Sequence, residues 1–143
     1  MRYITNNSDD TSKIGKKIAA GLKGGEVLCL YGELGAGKSV FTRALINYFL
    51  PGIRVLSPTF IIVRQYKIEI NNKKTIYHLD LYRLSNKAEF QDLGMTENFH
   101  QPDTIMVLEW ADRIKDILPS KRTDISFKIL GENQREIIMQ NYG

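Results

Sequence analysis

The sequence predicts an α/β fold: a mixed sheet with a parallel core and antiparallel hairpins, set as the middle of three layers. Three observations predict it. The apolar strand-type run Val27-Leu28-Cys29-Leu30-Tyr31 leads into Gly32-Glu33-Leu34-Gly35-Ala36-Gly37-Lys38-Ser39, and residues 40–50 then place apolar side chains at helical intervals before Pro51-Gly52. Thr104-Ile105-Met106-Val107-Leu108 is a nearly continuous apolar run, the sign of a strand covered on both faces. Two further pairs of β-type runs are joined by links too short for a parallel crossover and therefore form hairpins. Strand, glycine loop and helix in that order make the phosphate-binding loop of a P-loop NTPase-like fold.

The elements follow in order. Arg2-Tyr3-Ile4-Thr5 reads as a short edge strand, and Asn6-Asn7-Ser8-Asp9-Asp10 as a turn and helix cap, with the cap at Ser8. Over residues 11–22 the stripe Ile14, Ile18, Ala19 and Leu22 predicts a helix closed by Gly24-Gly25. Past the phosphate-loop helix and the segment through Ser57-Pro58-Thr59-Phe60, residues 61–70 are rich in β-branched and aromatic side chains and read as a long strand. Asn71-Asn72-Lys73-Lys74 is a polar turn into a strand over residues 75–82, which completes the first hairpin. Residues 86–99 give one or two short helices around Gly94, with Phe90, Leu93, Met95 and Phe99 inward. After the apolar strand stops at Glu109, a short helix is expected over residues 111–118, ended by Pro119. Residues 124–130 alternate as a half-exposed strand, Gly131-Glu132-Asn133 turns, and residues 135–140 return as the second hairpin.

At 143 residues the chain is expected to be a single P-loop domain, 1–143, large enough for one core. Its 43% hydrophobic and 25% charged residues are those of an ordinary soluble protein, and Met1-Arg2-Tyr3-Ile4-Thr5 is no signal peptide. No apolar run approaches the roughly 20 residues that cross a bilayer. The single cysteine, Cys29, lies inside the first core strand, which excludes a disulfide framework and points to a reducing cytoplasm. A formal charge of +4 and a pI near 9.2 would suit nucleic acid, but the pairs Lys16-Lys17, Lys73-Lys74 and Lys121-Arg122 are dispersed. Solvated surface is the preferred reading of each, and direct RNA binding a minor one.

The residue types of the loop carry its chemistry. Its glycines open conformations closed to other residues, so the N–H groups of Glu33, Leu34, Gly35, Ala36, Gly37, Lys38, Ser39 and Val40 can be turned toward phosphate oxygens. The following helix adds the positive end of its dipole. Lys38 supplies a point charge for the β- and γ-phosphates, and the Ser39 hydroxyl a ligand for Mg²⁺. A glycine turn that merely precedes a helix is the plain alternative, disfavoured because both flanks and every fixed position agree.

Hydrolysis or transfer needs more: an acid for the metal shell and a group to orient the nucleophile, placed at the carboxyl ends of neighbouring strands. Glu109, directly after a buried strand, must be paired, and a metal shell would pair it; a structural ion pair or an exposed strand end is the alternative. Asp80 follows His78 by two positions, so both share one face of their strand. Asp80 either positions the attacking water or the metal, or pairs with Arg83. His78 alone reads as structural, and one histidine beside one aspartate is too few ligands for zinc. Thr59 either reports the γ-phosphate as a switch residue or belongs to a simple turn. Ser8 is a plain helix cap or lies near the base of a nucleotide. Trp110 fills the core or stacks on a partner, and Cys29 is packing.

Taken together, the loop, Ser57-Pro58-Thr59-Phe60, Tyr77-His78-Leu79-Asp80-Leu81-Tyr82-Arg83-Leu84 and Val107-Leu108-Glu109-Trp110 resemble the bacterial TsaE family, also called YjeE, in the same order over almost the whole chain. The resemblance implies a cytoplasmic ATPase that uses ATP and Mg²⁺ and is required for the threonylcarbamoyladenosine modification of tRNAs reading codons that begin with adenine. It implies action on a complex of TsaD and TsaB, reset by ATP binding and hydrolysis, with tRNA met through that complex and no membrane. By the same resemblance Lys38 and Ser39 hold phosphate and Mg²⁺, Glu109 completes the metal site, Thr59 lies in a switch-like segment and Asp80 supports hydrolysis. Ser8 and Arg135 border the nucleotide. Ser39 stands where the family more often has threonine and keeps the hydroxyl, and Glu109 stands where other phosphate-loop proteins usually have aspartate. Two rivals are a small-molecule kinase, whose lid would find only Arg113 within residues 86–119, and a nucleotide-dependent docking module whose hydrolysis is incidental.

Overall fold

The computed structural model describes residues 1–55 and 63–143. Its strands are β1 (Arg2–Thr5), β2 (Val27–Tyr31), β3 (Val63–Ile70), β4 (Asn72–Asp80), β5 (Thr104–Glu109), β6 (Arg122–Ile129) and β7 (Arg135–Tyr142). Its α-helices are α1 (Ser8–Ala20), α2 (Lys38–Phe49) and α3 (Lys87–Asp92), with 3₁₀ segments at Met95–Asn98 and Ala111–Ile117. One seven-stranded sheet runs in the order β1-β7-β6-β2-β5-β4-β3. β2 is parallel to β5 and β6, and β4 is parallel to β5. The β3–β4, β6–β7 and β1–β7 pairs are antiparallel. A parallel centre flanked by hairpins is the expected mixed sheet.

Strand alternation builds a core on each face of that sheet. On one side Leu28, Leu30, Ile105, Val107, Ile125 and Phe127 pack with Ala19 of α1 and with Phe41, Leu45 and Ile46 of α2. On the other, Val27, Cys29, Met106 and Leu108 pack with Phe90 of α3 and with Met95, Ala111 and Ile114. Helix, sheet and helix are the three layers expected, and every residue of β5 is buried between them. α1 crosses α2 at Gly15, where a Cβ would stand 2.7 Å from the Phe41 carbonyl oxygen and 3.1 Å from the Ala44 Cβ. No larger residue fits that crossing unless the helices part.

Several boundaries differ from the sequence reading, each for a local reason. α1 is capped by Asn7, whose side-chain oxygen accepts the Asp10 N–H at 2.8 Å, and Ser8 is the first helical residue. The helix ends at Ala20 with Gly21 as its cap, ahead of Gly24-Gly25. The first hairpin turns at Asn71 (φ 63°), and residues 72–74 are already strand because Lys73 stands across from Glu69 in the ladder. β4 stops at Asp80, two residues short of the expected end.

Leu93 is exposed where it was expected inward, since Gly94 takes a left-handed turn (φ 71°) directly after it. Phe90 and Phe99 do meet, with ring centroids 6.1 Å apart. Ala111–Ile117 is 3₁₀ in place of the expected regular helix, broken at Ile114 (φ −125°), where the backbone leaves helical geometry. β6 and β7 extend to Arg122 and Tyr142, joined beyond the apolar alternation by a Thr123 hydroxyl bond to Asn141 at 2.7 Å and by the Arg122 guanidinium 4.7 Å from the Tyr142 ring. Residues 61 and 62 of the long strand, and Ser57-Pro58-Thr59-Phe60, lie outside the described residues.

Candidate phosphate-binding site

The loop leaves the end of β2 at Gly32, whose φ of 148° and whose position, 2.7 Å from the Phe127 carbonyl oxygen to an added Cβ, both require glycine. It closes on Gly37, the N-cap of α2, which offers no side-chain hydrogen bond; the first turn of the helix holds no acidic residue. The first-turn N–H groups and the positive end of the dipole are therefore left for an external anion. Within the loop the Ala36 N–H is turned back to the Glu33 carbonyl at 3.1 Å, and the Ala36 side chain is buried in the core. Glu33, Leu34 and Gly35 form the exposed tip, and Ser39 is exposed on α2.

Lys38 is buried at the start of α2. Its Nζ donates to the carbonyl oxygens of Gly32 and of Glu33 and lies 4.2 Å from the centroid of the Trp110 ring. Burial pushes its pKa below the ordinary lysine value, while the negative charges of Glu109, Asp80, Asp112 and Glu33 pull it back up. Two of those carboxylates, Asp80 and Glu109, converge by sheet register. In the parallel β4–β5 ladder Asp80 stands opposite Glu109, and both project to the α2 face together with His78. Burial raises the Asp80 pKa, opposed by the Tyr82 N–H that its Oδ1 accepts at 3.0 Å, and the neighbouring Glu109 raises it further.

His78 and Glu109 are both buried and joined, Nε2 to Oε2, at 2.5 Å. Among the described residues two buried side-chain nitrogens have no hydrogen-bond partner: His78 Nδ1 and Nε of Arg64, which pairs with His78 in the β3–β4 ladder. Trp110, directly after Glu109, holds a left-handed backbone (φ 60°, ψ 42°) that lays its indole over Lys38, with Tyr82 4.8 Å away. Cys29 is fully buried, and burial followed by the charge of Asp124 pushes its thiol up to about 12, consistent with packing.

On the other side of the loop a cavity of about 250 Å³ is lined by Ser8, Thr11, Gly35, Gly37, Val40 and Arg135, together with Asn7, Glu132 and Asn133. Arg135 reaches the loop tip, donating from Nε and Nη2 to the Gly35 carbonyl at 3.3 and 3.2 Å. Ser8 and Arg135, 127 positions apart in the chain, both line this cavity beside the loop. Thr59 lies outside the described residues. Sequence reasoning missed the His78–Glu109 contact, the indole over Lys38 and Thr11 in the cavity wall. The shared parity of His78 and Asp80 was visible; the pairing of β4 with β5 that brings Glu109 to them was not.

A glycine loop between a central parallel strand and a helix, with carboxylates at the ends of the adjacent strands, defines a P-loop NTPase-like protein. Residues 5–137 match the family model of the threonylcarbamoyl adenosine biosynthesis protein TsaE. The chain belongs to the TsaE family. It is 38% identical over 143 residues to the tRNA threonylcarbamoyladenosine biosynthesis protein TsaE of Bacillus subtilis, covering 100% of this chain and 87% of that protein. The protein of the same name from Aquifex aeolicus is 35% identical over 139 residues, 94% of this chain and 91% of its own length. The crystal structure of Bacillus subtilis YdiB superposes with a TM-score of 0.79 at 34% identity, covering all of this chain (100%) and 86% of that one. Among the described residues no helix is long and apolar enough to cross a membrane.

Proposed function

We propose that the chain binds ATP with Mg²⁺ at this loop and hydrolyses it, in the cytoplasm, in the service of tRNA threonylcarbamoyladenosine formation by a TsaB–TsaD complex. The observation that carries the reading is the convergence of Lys38, Glu109 and Asp80 on one face at the mouth of an uncapped helix. The donor set fits magnesium: a hydroxyl at Ser39 and carboxylates at Glu109 and Asp80 are hard oxygen ligands, with water and phosphate to complete the shell. Bound Mg²⁺ would neutralise charge on the β- and γ-phosphates. The loop amides and Lys38 orient the triphosphate, Ser39 and Glu109 hold the metal, and Asp80 positions the attacking water. The cavity beside Ser8, Val40 and Arg135 takes the nucleoside end. Thr59 is assigned to γ-phosphate sensing on the family resemblance alone.

The experiment is ATP turnover by the chain alone and with the two partner proteins, read as free phosphate. Turnover that rises as the complex forms supports the reading. A flat titration across concentrations that demonstrably form the complex removes partner-stimulated hydrolysis, and no uptake of ATP or ADP with Mg²⁺ in calorimetry removes the nucleotide site itself. Phosphorylated metabolite in place of free phosphate would make the protein a kinase.

A further inference from the structure

Glu109 is buried and its charge acts on the Lys38 ammonium, yet among the described residues no ion pair joins them; Glu109 Oε2 is taken by His78 Nε2 at 2.5 Å. Nε2 is the ring nitrogen engaged with the carboxylate, and Nδ1 is buried without a partner among the described residues, so the Glu109 bond is what holds the imidazole in place. The register explains the reach: Asp80 is opposite Glu109 and His78 opposite Val107, so the imidazole stands one pleat back on the same face. Lys38, for its part, bonds to loop carbonyls and lies under the Trp110 ring. The negative charge of Glu109 acts on that ammonium, and a carboxylate released from His78 would be drawn toward it and occupy the charge meant for phosphate.

We propose that His78 is a positioning residue for Glu109: by holding one carboxylate oxygen it keeps Glu109 off Lys38 and leaves the second oxygen free for the magnesium ion. This rests on the nucleotide reading above. The test is calorimetry of ADP binding across a Mg²⁺ series, with and without EDTA, on the wild type, His78→Gln, His78→Leu, Glu109→Gln and the combination of His78→Leu with Glu109→Gln, each checked for a cooperative melt. His78→Leu is expected to raise the Mg²⁺ concentration for half-maximal binding about tenfold, as removal of an outer hydrogen-bond partner does at metal sites, with binding in EDTA unchanged. His78→Gln, which keeps an N–H near the Nε2 position, stays close to wild type, and His78→Leu adds nothing once Glu109 is Gln. If His78→Leu does not fold, His78→Asn, whose shorter amide cannot reach Glu109, replaces it. A folded variant with wild-type Mg²⁺ dependence overturns the proposal, as does one that weakens ADP equally in EDTA, since that is a general packing defect. Wild-type ADP binding that ignores Mg²⁺ overturns this proposal and leaves the nucleotide site standing, whereas no ADP binding at all overturns the nucleotide reading.

Discussion

Gly15→Ala sets two well-measured effects against each other at the α1–α2 crossing. In an exposed helix interior alanine is favoured over glycine by about 1 kcal/mol. Here the new Cβ meets the Phe41 carbonyl oxygen at 2.7 Å, the Ala44 Cβ at 3.1 Å and the Leu45 nitrogen at 3.4 Å. Two of those three atoms are backbone and cannot swing aside, so the helices must separate. Overpacking of this kind costs roughly 1–3 kcal/mol, and rigid backbone contacts place it toward the upper end. The net expectation is destabilisation by about 1–2 kcal/mol, or roughly 3–6 °C in Tm for a chain of this size.

Gly21→Ala is the control, because its Cβ would meet nothing closer than 3.6 Å and its φ of −93° suits alanine. It should be neutral or stabilising by up to about 1 kcal/mol. Urea denaturation and thermal melts of the three proteins decide it. Gly15→Ala at or above wild-type stability would show that propensity dominates and that the close crossing is wrong. Because Thr11 on α1 and Val40 on α2 share the cavity wall, parting the helices should also weaken ADP binding, which Gly21→Ala should leave alone.

Two further outcomes follow from single residues. Asn7→Ala should cost about 1 kcal/mol and Ser8→Ala much less, since Asn7 makes the cap bond at 2.8 Å; equal losses in chemical denaturation would restore Ser8 as the cap. For Cys29, the unfolded thiol ionises from its ordinary 9.0 while the folded one holds its proton to about 12, so between those values the unfolded chain binds fewer protons and stability falls as pH rises. The loss attributable to Cys29 is about 1.4 kcal/mol at pH 10, and a stability difference between wild type and Cys29→Ala that does not change from pH 8 to pH 10 would contradict it. Native protein should also resist iodoacetamide at pH 8 and react once unfolded.

The sequence by itself determined the strand-loop-helix unit, the buried β5 run and both hairpins. Each is written in contiguous residues, as an alternation, a turn or a spacing that needs no distant partner. Element ends were less legible, because Asn7 and Ser8 are equally good caps in isolation and only the geometry of α1 selects between them. What the tertiary structure decided is the site's company. Glu109 was visible as a carboxylate requiring a partner, but His78 becomes that partner only because β4 docks parallel to β5 in one register, and Trp110 covers Lys38 only because its backbone turns left-handed after β5. Gly15 carried no signal at all, since a glycine inside a helix is informative only when the neighbouring helix is in place. Pairing between strands and crossing of helices are set by the summed burial of two cores, a quantity no local window of sequence contains.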